Sequence, residues 1–141
     1  MVGILLITHN GLGDSLVDCV RHVMGNVSPN LKVLSILADD DPQRKEDEGL
    51  DLMAQLDTGE GVLVLSDLIG ATPCNIGRRL FQSGRAVGVS GVNLPMLLRV
   101  VGDSNKPLAE VAQRALEGGR ECIVFMDTDE GCNVEPRCTN H

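Results

Sequence analysis

Two polar residues each follow an apolar run that has the length of a buried strand. His9 comes after residues 2–7 and Thr8, and Asp67 comes directly after residues 61–66. One ring nitrogen of a histidine can act as a nucleophile while the other donates its proton to a carboxylate, which stabilises positive charge on the ring. This is the orienting arrangement of a catalytic triad. If the two side chains meet, they predict covalent chemistry on His9.

A phosphoryl group would suit such a nucleophile, because its oxygens need hydrogen-bond donors. The helix start at Thr72-Pro73 offers free backbone N–H groups and a hydroxyl. Gly70 lets the backbone approach such a group closely. A loop histidine that only forms hydrogen bonds, beside an aspartate that only caps a turn, explains these residues equally well. The residues alone therefore leave the functional and the purely structural interpretation open.

Alternating strand and helix patterns decide whether His9 and Asp67 can meet. Strands are predicted at 2–7, 32–38, 61–66, 85–90 and 121–126. Helices are predicted from near Asp14, from Asp41-Pro42 with Leu50, Met53 and Ala54 buried, from Thr72-Pro73 to about 82, at 94–101, and from near Pro107. This alternation indicates a three-layer α/β/α fold with a mostly parallel sheet. In the flavodoxin-like order 2-1-3-4, strands 1 and 3 are neighbours, so the loops that carry His9 and Asp67 face each other.

Composition excludes several classes of function. The chain has 141 residues, a net charge of −8, two Phe and neither Trp nor Tyr, which argues against a nucleic-acid partner. Its first apolar run is far shorter than the roughly 20 residues of a membrane span, so we expect a cytoplasmic protein. Five cysteines without a C-x-x-C motif suit reduced thiols.

Other candidate sites are weaker. Leu16 stands where the third glycine of a dinucleotide-binding motif would be, so Gly11 and Gly13 do not predict a nucleotide site. Residues 39–48 carry six carboxylates and two cations, a net charge of −4; they are typical of a solvated helix start, with a metal site as the alternative. A metal site could also be built from the tail residues Cys132, Cys138 and His141, but their spacing fits no zinc pattern.

Three motifs resemble one family of proteins. They are GILLITHNG at 3–11, DLIGATPCN at 67–75 and SGVNLPML at 90–97. Together they resemble the mannose-family enzyme IIA domain of the bacterial phosphoenolpyruvate-dependent sugar phosphotransferase system, over residues 2 to about 126. We therefore expect a carrier domain at 1–126 and a polar C-terminal tail at 127–141.

The resemblance implies a set of roles and partners. His9 would accept a phosphoryl group from the phosphohistidine of the carrier protein HPr and pass it to an enzyme IIB partner, with Asp67 orienting His9. Gly70, Ala71 and Thr72 would hold the phosphoryl group, without a metal or other cofactor. The domain would form a homodimer that exchanges the strand at 121–126, and would meet a membrane only indirectly, through a sugar permease.

The sequence departs from the family pattern at three positions, and two other roles stay open. Ile69 replaces a common aromatic residue, Ala71 replaces a glycine, and Thr72 replaces a frequent serine; none of these changes removes a reacting atom. The same domain could serve as a free-standing regulatory module that senses phosphorylation state. It also resembles the phosphotransfer subunit of dihydroxyacetone kinase.

Overall fold

The computed structural model describes residues 1–26, 30–68 and 80–126. Four parallel strands form its sheet: β1 (Gly3–His9), β2 (Leu31–Ile36), β3 (Val62–Ser66) and β4 (Ala86–Ser90). They lie in the order β2-β1-β3-β4. The predicted parallel sheet and its strand order are therefore confirmed.

The central strand β1 is apolar along its whole length because both of its faces are covered. Ile4 and Leu6 belong to the core on one face of the sheet, and Leu5 and Ile7 to the core on the other face. All four side chains are fully buried. Successive side chains of a strand point to opposite faces, so a strand between two helical layers needs an unbroken apolar run.

Among the described residues, four helices cover the sheet: α1 (Leu12–Met24), α2 (Pro42–Leu56), α3 (Leu94–Gly102) and α4 (Leu108–Glu121). Helices α1, α3 and α4 pack on one face of the sheet, whereas α2 packs on the other. The result is the expected three-layer α/β/α arrangement. In the part of the chain that the structure describes, no helix is long and apolar enough to cross a membrane.

Helix α2 begins as predicted but buries a different face. Asp41 is its N-cap, the Asp41 side chain accepts a hydrogen bond from the Gln43 N–H at 3.2 Å, and Pro42 is the first helical residue. Leu50 and Ala54 are exposed, so their predicted burial is wrong; Met53 is buried as expected. Gly49 is buried instead, where an added Cβ would lie 3.4 Å from Leu34 Cδ2. The face of α2 that packs on the sheet is therefore the one that carries Gly49, Met53 and Leu56.

The segment predicted as a fifth strand is not part of the described sheet. Glu121 is the last residue of α4, and residues 122–126 form neither helix nor strand. An exchanged strand would pair with the sheet of a second copy, which a single chain does not contain. The exchange itself therefore stays a proposal.

Two other expectations concern regions beyond the four strands. Cys122 is disulfide-bonded, so the prediction of reduced thiols is wrong for this residue, whereas Cys19 is a free, exposed thiol.

The helix predicted from Thr72-Pro73 falls mostly on residues 69–79, outside the described residues. A helical Leu80 and a 3-10 helix at Phe81–Ser83 stand at its predicted end.

Candidate active site

The sheet brings His9 and Asp67 together. Strands β1 and β3 are paired so that Ile7 lies opposite Ser66, and both strands end at the carboxyl edge of the sheet. The His9 backbone N–H donates to Asp67 Oδ2 at 2.9 Å. The ring Nδ1 of His9 lies 3.0 Å from Oδ2 and 3.2 Å from Oδ1 of the same carboxylate. The expected contact between the two side chains is therefore present.

This contact assigns different tasks to the two ring nitrogens. An ionised carboxylate can only accept hydrogen bonds, so Nδ1 must carry the proton when the pair is bonded. In the neutral ring, Nε2 then holds the free lone pair. The His9 side chain is 40% exposed and that of Asp67 only 10%. The arrangement thus presents an oriented, accessible nucleophile above a largely covered carboxylate.

The carboxylate of Asp67 is held in its ionised form. Burial alone would raise the pKa of Asp67, but the hydrogen bonds from the backbone and ring of His9, together with the charge of that ring, lower it more, and the net shift is downward. Asp67 is therefore an acceptor at neutral pH, as an orienting residue must be.

The turn after His9 has a defined backbone. Asn10 has a positive φ of 51°, a left-handed conformation that asparagine adopts more readily than most residues. Its N–H donates to the Ile36 carbonyl at 2.9 Å, which ties the turn to the end of β2. The backbone on both sides of the His9 Cα is thus hydrogen-bonded, at His9 itself to Asp67 and at Asn10 to β2.

A cleft of about 410 Å³ opens beside the histidine, between the ends of β1 and β2 and the start of α2. Sequence reasoning missed Lys45, which lines this cleft; its Nζ lies 3.2 Å from Glu48 Oε2 and 3.6 Å from Asp40 Oδ2. Its place near the start of the helix that follows β2 is the sequence feature from which its position beside the cleft could have been predicted. The lining residues are His9, Asn10, Ile36, Leu37, Ala38, Asp40, Pro42 and Lys45.

The other candidate residues are not part of the described site. Gly70, Ala71 and Thr72 lie outside the described residues, as do Cys132, Cys138 and His141. His22, the other histidine among the described residues, is exposed on α1. Within the ranges 1–26, 30–68 and 80–126, no three His, Cys, Asp or Glu side chains are grouped as metal ligands are.

Comparison with known proteins identifies a family that matches most of the chain. A family profile described as "PTS system fructose IIA component" (EIIA-man) matches residues 3–116. The "PTS system mannose-specific EIIAB component" of Escherichia coli K12 is 27% identical in an alignment of 125 residues that covers 86% of this chain. The chain spans only 38% of the length of that relative.

Solved structures share the fold. The mannose/sorbose specific IIA subunit of the phosphotransferase system from Enterococcus faecalis superposes with a TM-score of 0.81 at 20% identity, over 90% of this chain and 96% of that one. The phosphotransferase system component EIIA from Streptococcus agalactiae gives a TM-score of 0.77 at 21% identity, over 89% and 98% of the two chains. With the family match over residues 3–116, these observations show that the chain belongs to the EIIA-man family, the mannose-type IIA components of the sugar phosphotransferase system.

Proposed function

We propose that this chain is a phosphohistidine carrier, which accepts a phosphoryl group on His9 from phosphorylated HPr and passes it to an enzyme IIB partner. One observation carries the proposal: His9 Nδ1 lies 3.0 Å from a largely buried carboxylate while the ring is 40% exposed. Membership of the EIIA-man family supports phosphoryl transfer as the chemistry. We propose, as the sequence led us to expect, that this reaction takes place in the cytoplasm.

The chemical step follows from the two ring nitrogens. With Nδ1–H bonded to Asp67, the lone pair on Nε2 attacks the phosphorus of the donor phosphohistidine. A new Nε2–P bond forms as the P–N bond of the donor breaks, and the electron pair of the broken bond stays on the donor nitrogen. The ring of His9 gains positive charge, which the Asp67 carboxylate stabilises. The reverse sequence delivers the group to the next acceptor, because donor and acceptor chemistry are alike.

The phosphoryl oxygens also need partners. We assign them to Gly70, Ala71 and Thr72, on the strength of the helix start at Thr72-Pro73 in the sequence. An anion at a helix N-terminus gains about 0.3–1 kcal/mol when exposed and up to ~2 kcal/mol when partly buried. Contributions of this size are modest, so positioning of the nucleophile must supply most of the rate.

Intact-mass analysis tests the assignment of His9. The protein is incubated with phosphoenolpyruvate, enzyme I and HPr and kept away from acid, alongside His9→Ala and a matched control, His22→Ala, which alters an exposed histidine of α1. Wild type and His22→Ala should gain one phosphoryl group, and His9→Ala none. Phosphorylation of folded His9→Ala would overturn the assignment.

The downstream acceptor distinguishes transport from the alternatives. The relative in Escherichia coli is named as an EIIAB component, which supports a IIB domain as the acceptor. A regulatory module or a dihydroxyacetone kinase subunit would carry the same group on His9 but would not deliver it to IIB. Mixing the phosphorylated chain with purified IIB should transfer the label, and retention of the label on His9 would favour those alternatives.

We also propose that residues 1–126 are the carrier domain and that 127–141 are a tail. Two copies form a dimer by exchanging the segment predicted at 121–126, of which 122–126 follow the end of α4. Four consecutive apolar side chains, at 123–126, are 60–84% exposed. A groove of about 500 Å³ runs between β4 and α4, lined in part by Val87, Val89 and Leu116. An exposed apolar segment and an open edge strand in one chain are complementary features.

Sedimentation measures the dimer directly. Wild type should sediment as a dimer, and Phe125→Asp should shift it towards monomer because a charge would enter the exchanged segment. Leu50→Asp, a change at an exposed leucine of α2, is the control and should leave the dimer intact. A monomeric wild type would contradict the proposal.

A further inference from the structure

Thr8, the residue before His9, is a fully buried polar side chain. It is 0% exposed, at the carboxyl end of β1. Its Oγ1 accepts a hydrogen bond from the Gly13 backbone N–H at 2.9 Å. Buried hydroxyl groups are costly unless they are hydrogen-bonded, so this contact explains how a polar residue is accommodated in the core. It also links the strand before His9 to the helix after it.

The acceptor meets a need of helix α1. The first N–H groups of a helix lack partners within the helix, and a side chain at the N-cap normally accepts one of them. The N-cap of α1 is Gly11, which has no side chain to offer. Gly13 is the second residue of the helix, and its N–H is bonded by Thr8 instead. Thr8 therefore caps α1 from the strand.

The fit between strand and helix is close at this point. A Cβ added to Gly13 would lie 2.6 Å from Thr8 Oγ1 and 2.7 Å from Val33 Cγ1. Any larger residue at this position must displace one of these atoms. The glycine that did not predict a nucleotide site thus has another role, which is to let α1 approach β1 and β2.

We propose that Thr8 is a positioning residue for His9, a role that rests on the proposed function. The three-residue turn from His9 to Gly11 is held at both ends by the Thr8 hydroxyl, which fixes the start of α1 against the strand. We call this Thr8–Gly13 contact the clamp. Together with the hydrogen bond from Asn10 to Ile36, the clamp holds the His9 backbone in one position. In that position the ring Nδ1 reaches Asp67 and Nε2 points away from it. The Thr8 hydroxyl thereby acts on the reaction without touching the phosphoryl group.

Two substitutions at Thr8 separate the hydroxyl from the shape of the side chain. Thr8→Val keeps the shape but removes the acceptor for the Gly13 N–H, whereas Thr8→Ser keeps the acceptor. Ser104→Ala is the matched control, because Ser104 is also buried and its hydroxyl donates to the Val101 carbonyl at 3.3 Å. Single-turnover phosphoryl transfer from HPr at saturating donor and the ¹⁵N shifts of the His9 ring are measured below the melting temperature of each variant.

The clamp predicts a specific pattern. Thr8→Val should slow transfer at saturating donor roughly tenfold through misorientation of the nucleophile, with the ring distributed over both tautomers. Thr8→Ser should remain within about threefold of wild type, as a small loss of methyl packing leaves the geometry in place. Ser104→Ala should lower stability without altering the rate or the tautomer.

Either measurement can overturn the proposal. A folded Thr8→Val protein with the wild-type rate and a single tautomer would show that the hydroxyl is only structural, as would an equal loss of rate in Ser104→Ala. If Thr8→Val does not fold, Thr8→Ala replaces it, because it also removes the acceptor of the Gly13 N–H, and a wild-type rate with a single tautomer in that variant would contradict the clamp. A wild type that accepts no phosphoryl group would instead refute the proposed function, while the tautomer of the unphosphorylated ring would still test the clamp.

Discussion

Two aspartates at opposite ends of β3 each accept several hydrogen bonds, but from different kinds of donor. Asp57 lies before the strand and accepts hydrogen bonds from the N–H groups of Gly59 and Gly61, at 2.9 and 3.0 Å. It also accepts Arg85 Nε and Nη2, both at 2.9 Å. Asp67 follows the strand and accepts the backbone N–H and ring of His9. An arginine and two glycine N–H groups surround the first carboxylate, whereas the backbone and ring of one histidine bind the second.

The pKa of each carboxyl reflects its partners. The side-chain hydrogen bond from Arg85 is the main reason why the pKa of Asp57 is far below its usual range, and the Gly59 N–H adds to this. At Asp67, burial acts in the opposite direction and the bonds from His9 outweigh it. A guanidinium donates from several N–H groups and stays charged at every accessible pH, whereas a neutral imidazole donates from one ring nitrogen and keeps a lone pair on the other.

This difference suggests a division of labour along one strand. Asp57 lies at the amino edge of the sheet, where it joins the end of α2 to the residue before β4. Asp67 lies at the carboxyl edge, where ligand sites of open α/β sheets occur. We infer that the first carboxylate stabilises the fold and that the second orients the nucleophile.

Substitution of the orienting carboxylate should have the largest effect. Asp67→Asn replaces an acceptor with a group that can donate to Nδ1, which favours the tautomer with the proton on Nε2 and blocks the attacking lone pair. Phosphoryl transfer from HPr should fall by about 10²-fold, in a rapid-quench assay at saturating donor. A transfer rate within threefold of wild type would show that Asp67 does not orient the ring.

Substitution of the other carboxylate should change stability and not transfer. Asp57→Asn leaves one carbonyl oxygen for the donors that the carboxylate now accepts, so the free energy of unfolding should fall by about 1–2 kcal/mol. Urea denaturation gives this value, and the transfer rate, measured where the variant is fully folded, should stay within twofold. If Asp57→Asn slows transfer as much as Asp67→Asn does, the division of labour is wrong.

Acid should reduce the stabilisation that Asp57 provides. Its pKa is lower in the folded than in the unfolded protein, so its contribution is fully present above roughly pH 4, the pKa of an unperturbed aspartate, and is lost as pH falls below that. The difference in free energy of unfolding between wild type and Asp57→Asn should therefore stay level from about pH 6 to about pH 4 and shrink from there towards about pH 2. A difference that is constant over this range would mean that the charge of Asp57 contributes nothing.

The sequence predicted the sheet and the His9–Asp67 contact for one physical reason. Apolar runs bounded by polar residues mark buried strands, and the strand order places the ends of β1 and β3 side by side. It did not predict the Asp57–Arg85 pair or the bond from Gly13 to Thr8. Neither has a periodic signal, because each depends on how separate elements meet. Leu50 was misplaced for the same reason, since α2 packs on the sheet through Gly49, Met53 and Leu56.

The position of the phosphoryl group on the ring tests the central claim most directly. The claim is that Asp67 holds Nδ1 of His9 and leaves Nε2 to react. The wild-type protein, uniformly labelled with ¹⁵N and phosphorylated through HPr at alkaline pH, is examined by ¹H–¹⁵N and ³¹P NMR. The account predicts a single phosphoryl group on Nε2 of His9, with the proton retained on Nδ1. A phosphoryl group on Nδ1, or on any other residue, would contradict it.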